Sequence, residues 1–120
     1  MLQIQPLWKG ETALIDLVKQ FFPDACREYS SPWLKGQRID VFVPSVKVGF
    51  EYQGEQHFKP IEFFGGTDAF VKMKARDERK RKACEAAGVV LIEWNFNEPV
   101  NTLNLILKLK AFGIDVPYKS

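Results

Sequence analysis

The 120-residue chain carries 17 basic and 15 acidic residues, and its length suits one compact domain with little room for a second. Apolar residues make up 46% of the chain, which excludes a disordered protein and suffices for one hydrophobic core. Two cysteines cannot build a disulfide framework or a four-ligand zinc site, and no apolar stretch is long enough to span a bilayer, so we expect a soluble cytoplasmic protein.

The first predicted element is an amphipathic helix from Glu11 to Phe22, which Pro23 ends. A short strand is predicted from Ala25 to Tyr29. Glu11 shares the core-facing stripe of the helix. It is either a first-turn acid favoured by the helix dipole or a carboxylate that reaches over the sheet towards Asp40.

A β-hairpin is predicted next, because Arg38 to Val43 and Lys47 to Gln53 both alternate between two faces. On the first strand Ile39, Val41 and Val43 are expected to face one way and Asp40 the other. Acidic residues are depleted from strands, yet Asp40 and Glu51 each sit in mid-strand, where an antiparallel pair would bring them together. Two adjacent carboxylates suit a hard divalent cation, although a strand face open to water would also accommodate them.

A polar and aromatic loop that contains His57, the only histidine, leads to a helix from Thr67 or Asp68 to Ala87. The apolar stripe of this helix is interrupted at Asp77 and Lys80, where a core-facing helix would place apolar residues. A charge in such a position needs a partner or a task. The alternative is that Lys80 extends past the edge of the core and pairs with Asp77.

The same helix holds seven basic residues between Lys72 and Lys82, against two acidic ones. Such a cluster indicates a polyanionic partner or a solvated helix face. A strand from Val89 to Trp94 and a last helix from Val100 to Phe112 follow. The residues of the last helix expected to face the core are Leu103, Ile106 and Leu107, with Leu109 as a further candidate.

This order of elements predicts a single α/β (α+β) domain over residues 1–120, with a mixed central sheet of about four strands flanked by helices. The core is expected to cover about residues 11–95.

The runs Arg38–Pro44 and Val48–Phe58 resemble the core of the PD-(D/E)xK nuclease superfamily, which has a restriction-endonuclease-like fold. They are especially similar to the branch close to very-short-patch repair endonucleases and phage-type endonuclease-like domains. Members of that branch carry an Asp strand, a Glu strand followed by a His-bearing loop, and an Arg-Asp-x-x-Lys helix. The helix motif matches Arg76, Asp77 and Lys80.

The resemblance implies an endonuclease that hydrolyses phosphodiester bonds of DNA with Mg²⁺, for which Mn²⁺ is an expected substitute. It implies that Asp40 and Glu51 hold the metal and that Glu11 completes the acidic site. Gln53 occupies the position of the family lysine, and because an amide cannot supply a positive charge, Lys80 is expected to restore it from the helix.

His57 or Lys80 would contact the scissile phosphate, and flanking phosphates would be held by Lys72, Arg76, Arg79 and Lys82. A homodimer is plausible for cutting both strands. Two alternatives stay open: a catalytically inactive nucleic-acid-binding module of the same fold, which the glutamine motivates, and a protein-interaction domain with a solvated acidic face.

Overall fold

The computed structural model describes residues 7–54 and 66–117, apart from the side chains of residues 7–9 and 66. His57 lies outside the described residues. Three helices and four strands follow one another, with a short 3₁₀ turn at Pro32–Leu34: α1 Leu7–Phe21, β1 Cys26–Ser30, β2 Arg38–Val43, β3 Val48–Gln53, α2 Gly66–Ala86, β4 Val90–Asn95 and α3 Thr102–Lys110. No helix in these ranges is both long enough and apolar enough to cross a lipid bilayer.

The four strands form one mixed sheet in the order β1-β2-β3-β4. β1 and β3 each pair with β2 in the antiparallel sense, whereas β4 runs parallel to β3. A parallel pair needs a crossover connection, and α2 lies in the connection between β3 and β4. The predicted α/β class, the four-strand sheet and its flanking helices are confirmed; the restriction-endonuclease-like core stays a prediction.

Two apolar clusters hold the helices to the sheet. The larger one joins α1 and α3 to the strands, and Trp94 and Phe50 are its largest fully buried side chains. The smaller one joins Cys84 of α2 to Leu34 of the 3₁₀ turn and to Phe42 of β2. The sheet therefore carries a core on each side, and α2 and the 3₁₀ turn share one of them.

The hairpin of β2 and β3 forms as expected, but its alternation is interrupted at Asp40. Val41 and Val43 join the larger cluster, whereas Ile39 joins the smaller one with Phe42, so the prediction that Ile39 faces the same way as Val41 is wrong. Near this point Glu28 of β1 has a left-handed φ of 49°, and the N–H of Asp40 bonds to a side chain. The strand therefore changes face within a distorted stretch.

α1 begins at Leu7, earlier than predicted, so Glu11 does not lie in the first turn. The first-turn dipole explanation of Glu11 is therefore wrong. Glycine is a poor helix former, which is why the sequence pattern places the start of the helix after Gly10. The structure keeps Gly10 within the helix because a Cβ there would overlap the ring of Tyr52. Glycine thus permits the close approach of α1 to β3.

α3 turns a different face to the core than predicted. Leu105 and Leu109 are fully buried, whereas Leu103 and Leu107 are 64% and 56% exposed. The prediction for Leu103 and Leu107 is wrong because leucines lie on both sides of this helix, and the tertiary contacts decide which side is covered. The helix is capped by Asn101, whose side chain accepts a hydrogen bond from the Asn104 N–H at 2.9 Å.

Two truncations on α3 test this orientation. Leu105→Ala is expected to lower the free energy of unfolding by about 2–5 kcal/mol, because it leaves a cavity in the core. Leu103→Ala removes the same atoms from an exposed position and is expected to change it by less than about 0.5 kcal/mol. Urea unfolding measures both values, and equal losses would contradict the assigned face.

Candidate active site

Asp40 and Glu51 exchange hydrogen bonds between neighbouring strands. The Asp40 N–H donates to Oε2 of Glu51 at 2.8 Å, and the Tyr52 N–H donates to Oδ2 of Asp40 at 2.8 Å. Each carboxylate thus accepts the backbone N–H of the opposite strand, beyond the regular ladder that pairs Val41 with Phe50. The sequence expectation that the two acids lie close together is met.

Lys80 reaches Glu51 from α2. Its Nζ lies 2.6 Å from Oε1 of Glu51, and Glu51 is only 8% exposed, so this is a largely buried ion pair. Met73 and Asp77 are half-buried on the same helix, and Cys84 is buried. The charges that interrupt the apolar stripe therefore face the sheet, where a cation is needed beside a buried carboxylate.

Glu11 adds a third carboxyl group to the site. It lies beside Asp40, whose pKa it helps to raise, and α1 brings it there through the close contact of Gly10 with Tyr52.

Burial and neighbouring acids make Asp40 a weak acid. Desolvation, then the charge of Glu51 and then the contact with Glu11 raise its pKa from 3.8 to about 9. Burial also raises the pKa of Glu51, and the charge and hydrogen bond of Lys80 oppose that rise. Because Lys80 and the Asp40 N–H both favour the charged form of Glu51, we place the proton on Asp40 and the negative charge on Glu51.

Gln53, which stands where the resemblance to the nuclease superfamily would place a lysine, is 6% exposed and does not supply a charge. Its Nε2 donates to Oε2 of Glu93 on β4 at 2.9 Å, and Arg81 of α2 contacts the same oxygen at 3.1 Å. Glu93 thereby fixes the amide group of Gln53. The sequence alone gave no sign of Glu93, because its position on β4 is opposite Glu51 only once the parallel register is known.

The acidic groups line a cavity of about 260 Å³ between α1, the hairpin and α2. Asp40, Arg76 and Lys80 also line a neighbouring cleft of about 550 Å³, to which Arg79 contributes. Lys72 and Lys82 are exposed on α2 and line neither of these two spaces. Sequence reasoning missed the opposite wall of the cleft, which contains Lys35, Gln37 and Arg38; the signal available was that Arg38 precedes Asp40 by two residues on the same strand.

The donor set of the cavity is compatible with a hard divalent cation. Within residues 7–54 and 66–117, no group of three or more His, Cys, Asp and Glu side chains has the spacing of a ready-made metal site. Mg²⁺, however, commonly uses one or two carboxylates and takes its other ligands from water and substrate phosphates. Asp40 and Glu51 provide two, and the excess of buried acid over Lys80 is a charge that such a cation would neutralise.

Comparison with known proteins finds relatives in viruses, and their names say only that they are uncharacterized. Uncharacterized protein 033L of Invertebrate iridescent virus 3 is 37% identical over 82 residues, which are 66% of this chain and 42% of the relative. Uncharacterized protein 307L of Invertebrate iridescent virus 6 is 40% identical over 76 residues, 62% of this chain and 39% of the relative. Uncharacterized protein 094L of Frog virus 3 (isolate Goorha) is 40% identical over 57 residues, 46% and 37% of the two chains.

The matched region spans about two fifths of the length of these relatives. No family model matches the chain. No solved structure matches it either.

The raised pKa of Asp40 makes stability depend on pH. Because about 9 lies above the ordinary value of 3.8, the folded protein keeps a proton that the unfolded chain releases between those values. The free energy of unfolding is therefore expected to fall as the pH rises from about 4 to about 9. Asp40→Asn, which stays neutral, is expected to remove most of this fall.

Urea unfolding at about pH 5 and about pH 8 measures the effect. Asp16→Asn, at an exposed position of α1, is the matched control and is expected to keep the wild-type profile. Parallel pH profiles for wild type and Asp40→Asn would contradict the raised pKa.

Proposed function

We propose that this protein is a divalent-metal-dependent nuclease that hydrolyses phosphodiester bonds of nucleic acid, with DNA as the expected substrate. The observation that supports this most is the convergence of Asp40 and Glu51 from neighbouring strands, with Lys80 on Glu51 at 2.6 Å and a cation-lined cleft beside them. A buried acidic pair with a dedicated lysine is costly to keep for stability alone. Its perturbed titration is typical of functional sites.

Asp40 and Glu51 would hold Mg²⁺ or Mn²⁺, and Glu11 would complete the acidic site. When bound, such an ion lowers the pKa of a coordinated water and stabilises charge on the phosphate. To bind it, Asp40 must release the proton that its raised pKa retains. Metal affinity is therefore expected to increase with pH.

Lys80 would supply the positive charge that Gln53 lacks. Its Nζ lies against Glu51 and lines the cavity, so it can donate a hydrogen bond to a phosphate oxygen beside the metal ligands. Gln53 would orient the attacking water through its amide, which Glu93 holds in place. Arg76 and Arg79 in the cleft, with Lys72 and Lys82 farther along α2, would contact flanking phosphates.

The second candidate is a nucleic-acid-binding module of the same fold without catalysis. The observation that favours it is Gln53 itself, whose side chain donates to Glu93 where the family has a lysine. Binding without cleavage in the presence of Mg²⁺ and of Mn²⁺ would decide for this candidate. A homodimer belongs to the first candidate only if both strands of a duplex are cut.

Cleavage of labelled single-stranded, nicked and duplex DNA with Mn²⁺ tests the enzyme directly. Asp40→Asn, Glu51→Gln and Lys80→Met are each expected to reduce the rate by about 10² or more, because each removes charge from the reacting centre. Glu85→Gln on α2 and Lys110→Met on α3 remove the same charges from exposed positions and are expected to retain activity. Activity that survives Glu51→Gln would overturn the assignment.

A thermal-shift titration with Mn²⁺ tests the metal site without catalysis. The ion is expected to raise the Tm of the wild type by mass action and to leave that of Glu51→Gln unchanged. A shift of equal size in both proteins would place the metal elsewhere.

A further inference from the structure

A cleft of about 550 Å³ lies between the segment Lys35–Arg38 and α2. The described residues that line it provide five cationic side chains, one carboxyl group and no apolar side chain: Lys35, Gly36, Gln37, Arg38, Asp40, Arg76, Arg79 and Lys80. A recess of this composition attracts anions and offers nothing to a hydrophobic ligand.

The segment Lys35–Arg38 is fixed to the body of the protein. Leu34, immediately before it, is buried against Cys84 of α2, and the N–H groups of Lys35 and Gln37 donate to Pro32 and Leu34. Lys35 and Gly36 then both have left-handed φ values, 53° and 89°, which turn the chain into β2. The two walls of the cleft are therefore held at a set separation.

Acidic side chains of the described residues leave most of the positive charge in the cleft unneutralised. Lys80 is committed to Glu51, and Arg38 has only a loose contact of 3.7 Å with Glu28, in which both side chains are exposed. Among the described residues no acidic side chain pairs with Lys35, Arg76 or Arg79. Three cations face one recess and repel one another unless an anion enters it.

Gln37, one of the residues that line the recess, has an unmet hydrogen bond. Its Oε1 is buried and has no partner among the described residues. A buried acceptor left unpaired is costly, so a ligand that carries a donor would be favoured here. An inorganic phosphate oxygen at neutral pH is mainly an acceptor, whereas a nucleic-acid strand alternates phosphates with groups that can donate, such as base amines and, in RNA, the 2′-hydroxyl.

We propose that this cleft binds the sugar–phosphate backbone of a single nucleic-acid strand and leads it to Asp40, which lines both the cleft and the acidic cavity; the proposal rests on the proposed nuclease function of that cavity. Lys35, Arg76 and Arg79 hold the phosphates, and Gln37 accepts a hydrogen bond from the strand. The volume is that of a small-molecule pocket, which takes a short segment of one strand and not the full width of a duplex.

The test is fluorescence anisotropy of a labelled single-stranded oligonucleotide of about 12 nucleotides, in EDTA so that nothing is cleaved. Lys35→Gln, Arg76→Gln and Arg79→Gln are each expected to weaken binding by about threefold to tenfold. Each is also expected to lower the slope of log affinity against log salt by about 0.7. Lys110→Gln removes the same charge from an exposed position of α3 outside the cleft, and it is expected to leave both the affinity and the salt slope nearly unchanged.

Loss of affinity in Lys110→Gln equal to that in Arg79→Gln overturns the cleft as the binding site. Tighter binding of duplex than of single strand overturns the choice of one strand. Urea unfolding midpoints of all variants, equal to that of the wild type, show that each protein tested is folded.

DNA and RNA strands of the same sequence are compared with Gln37→Leu. Weaker binding of RNA alone identifies the 2′-hydroxyl as the donor, and weaker binding of both strands identifies a base amine. No change for either strand overturns the role of Gln37.

Because the assay contains no metal, it is independent of hydrolysis. If the wild-type protein binds the strand through the cleft but cleaves nothing, the cleft proposal stands and the nuclease function is overturned. If the three cleft variants cleave as fast as the wild type, the cleft proposal is overturned and the nuclease function stands.

Discussion

The arrangement of the protein depends on the contacts of the Glu51 carboxylate. One oxygen accepts from Lys80 of α2 and the other from the N–H of Asp40 on β2, so a single side chain of β3 connects three elements. A charge that is 8% exposed is tolerated only when it is paired and hydrogen-bonded. The position of α2 over the sheet and the local distortion of β2 therefore have to satisfy the same group, and neither can change without leaving it unpaired.

The surrounding acids carry more negative charge than Lys80 can balance. Burial and the nearness of Glu51 and Glu11 raise the pKa of Asp40 to about 9, so near neutral pH a proton occupies part of the site. A divalent cation bound as proposed would compete with this proton for the same oxygens. The acids would then reduce stability in exchange for the capacity to bind the cation, as functional residues often do when they oppose the rest of the fold.

The hairpin and the interruption at Asp77 and Lys80 could be predicted because both are local patterns of period two or 3.6. The start of α1 could not be predicted, since Gly10 is unfavourable for a helix by itself and its place in the helix is explained only by the ring of Tyr52. The buried face of α3 could not be predicted either, because leucines lie on two sides of the helix and packing alone selects Leu105. Propensity gives way to tertiary contacts in both cases.

The cleft shows why one half of the candidate site was visible in the sequence and the other was not. Arg76 and Arg79 belong to a dense basic run, whereas Lys35 and Gln37 are isolated in the sequence, and only the left-handed turn sets them opposite α2.

Positions 76, 79 and 80 fall within one turn of a helix and share a face. The helix that would hold the phosphates is thus the same one that carries the lysine on Glu51, so any shift of α2 upon strand binding would also move the cation at the carboxylates. In the proposed nuclease, with a glutamine at position 53, the positive charge beside the carboxylates would come from α2, which also lines the cleft, and not from the strand that bears the acids. Substrate contact and chemistry would then depend on the same helix.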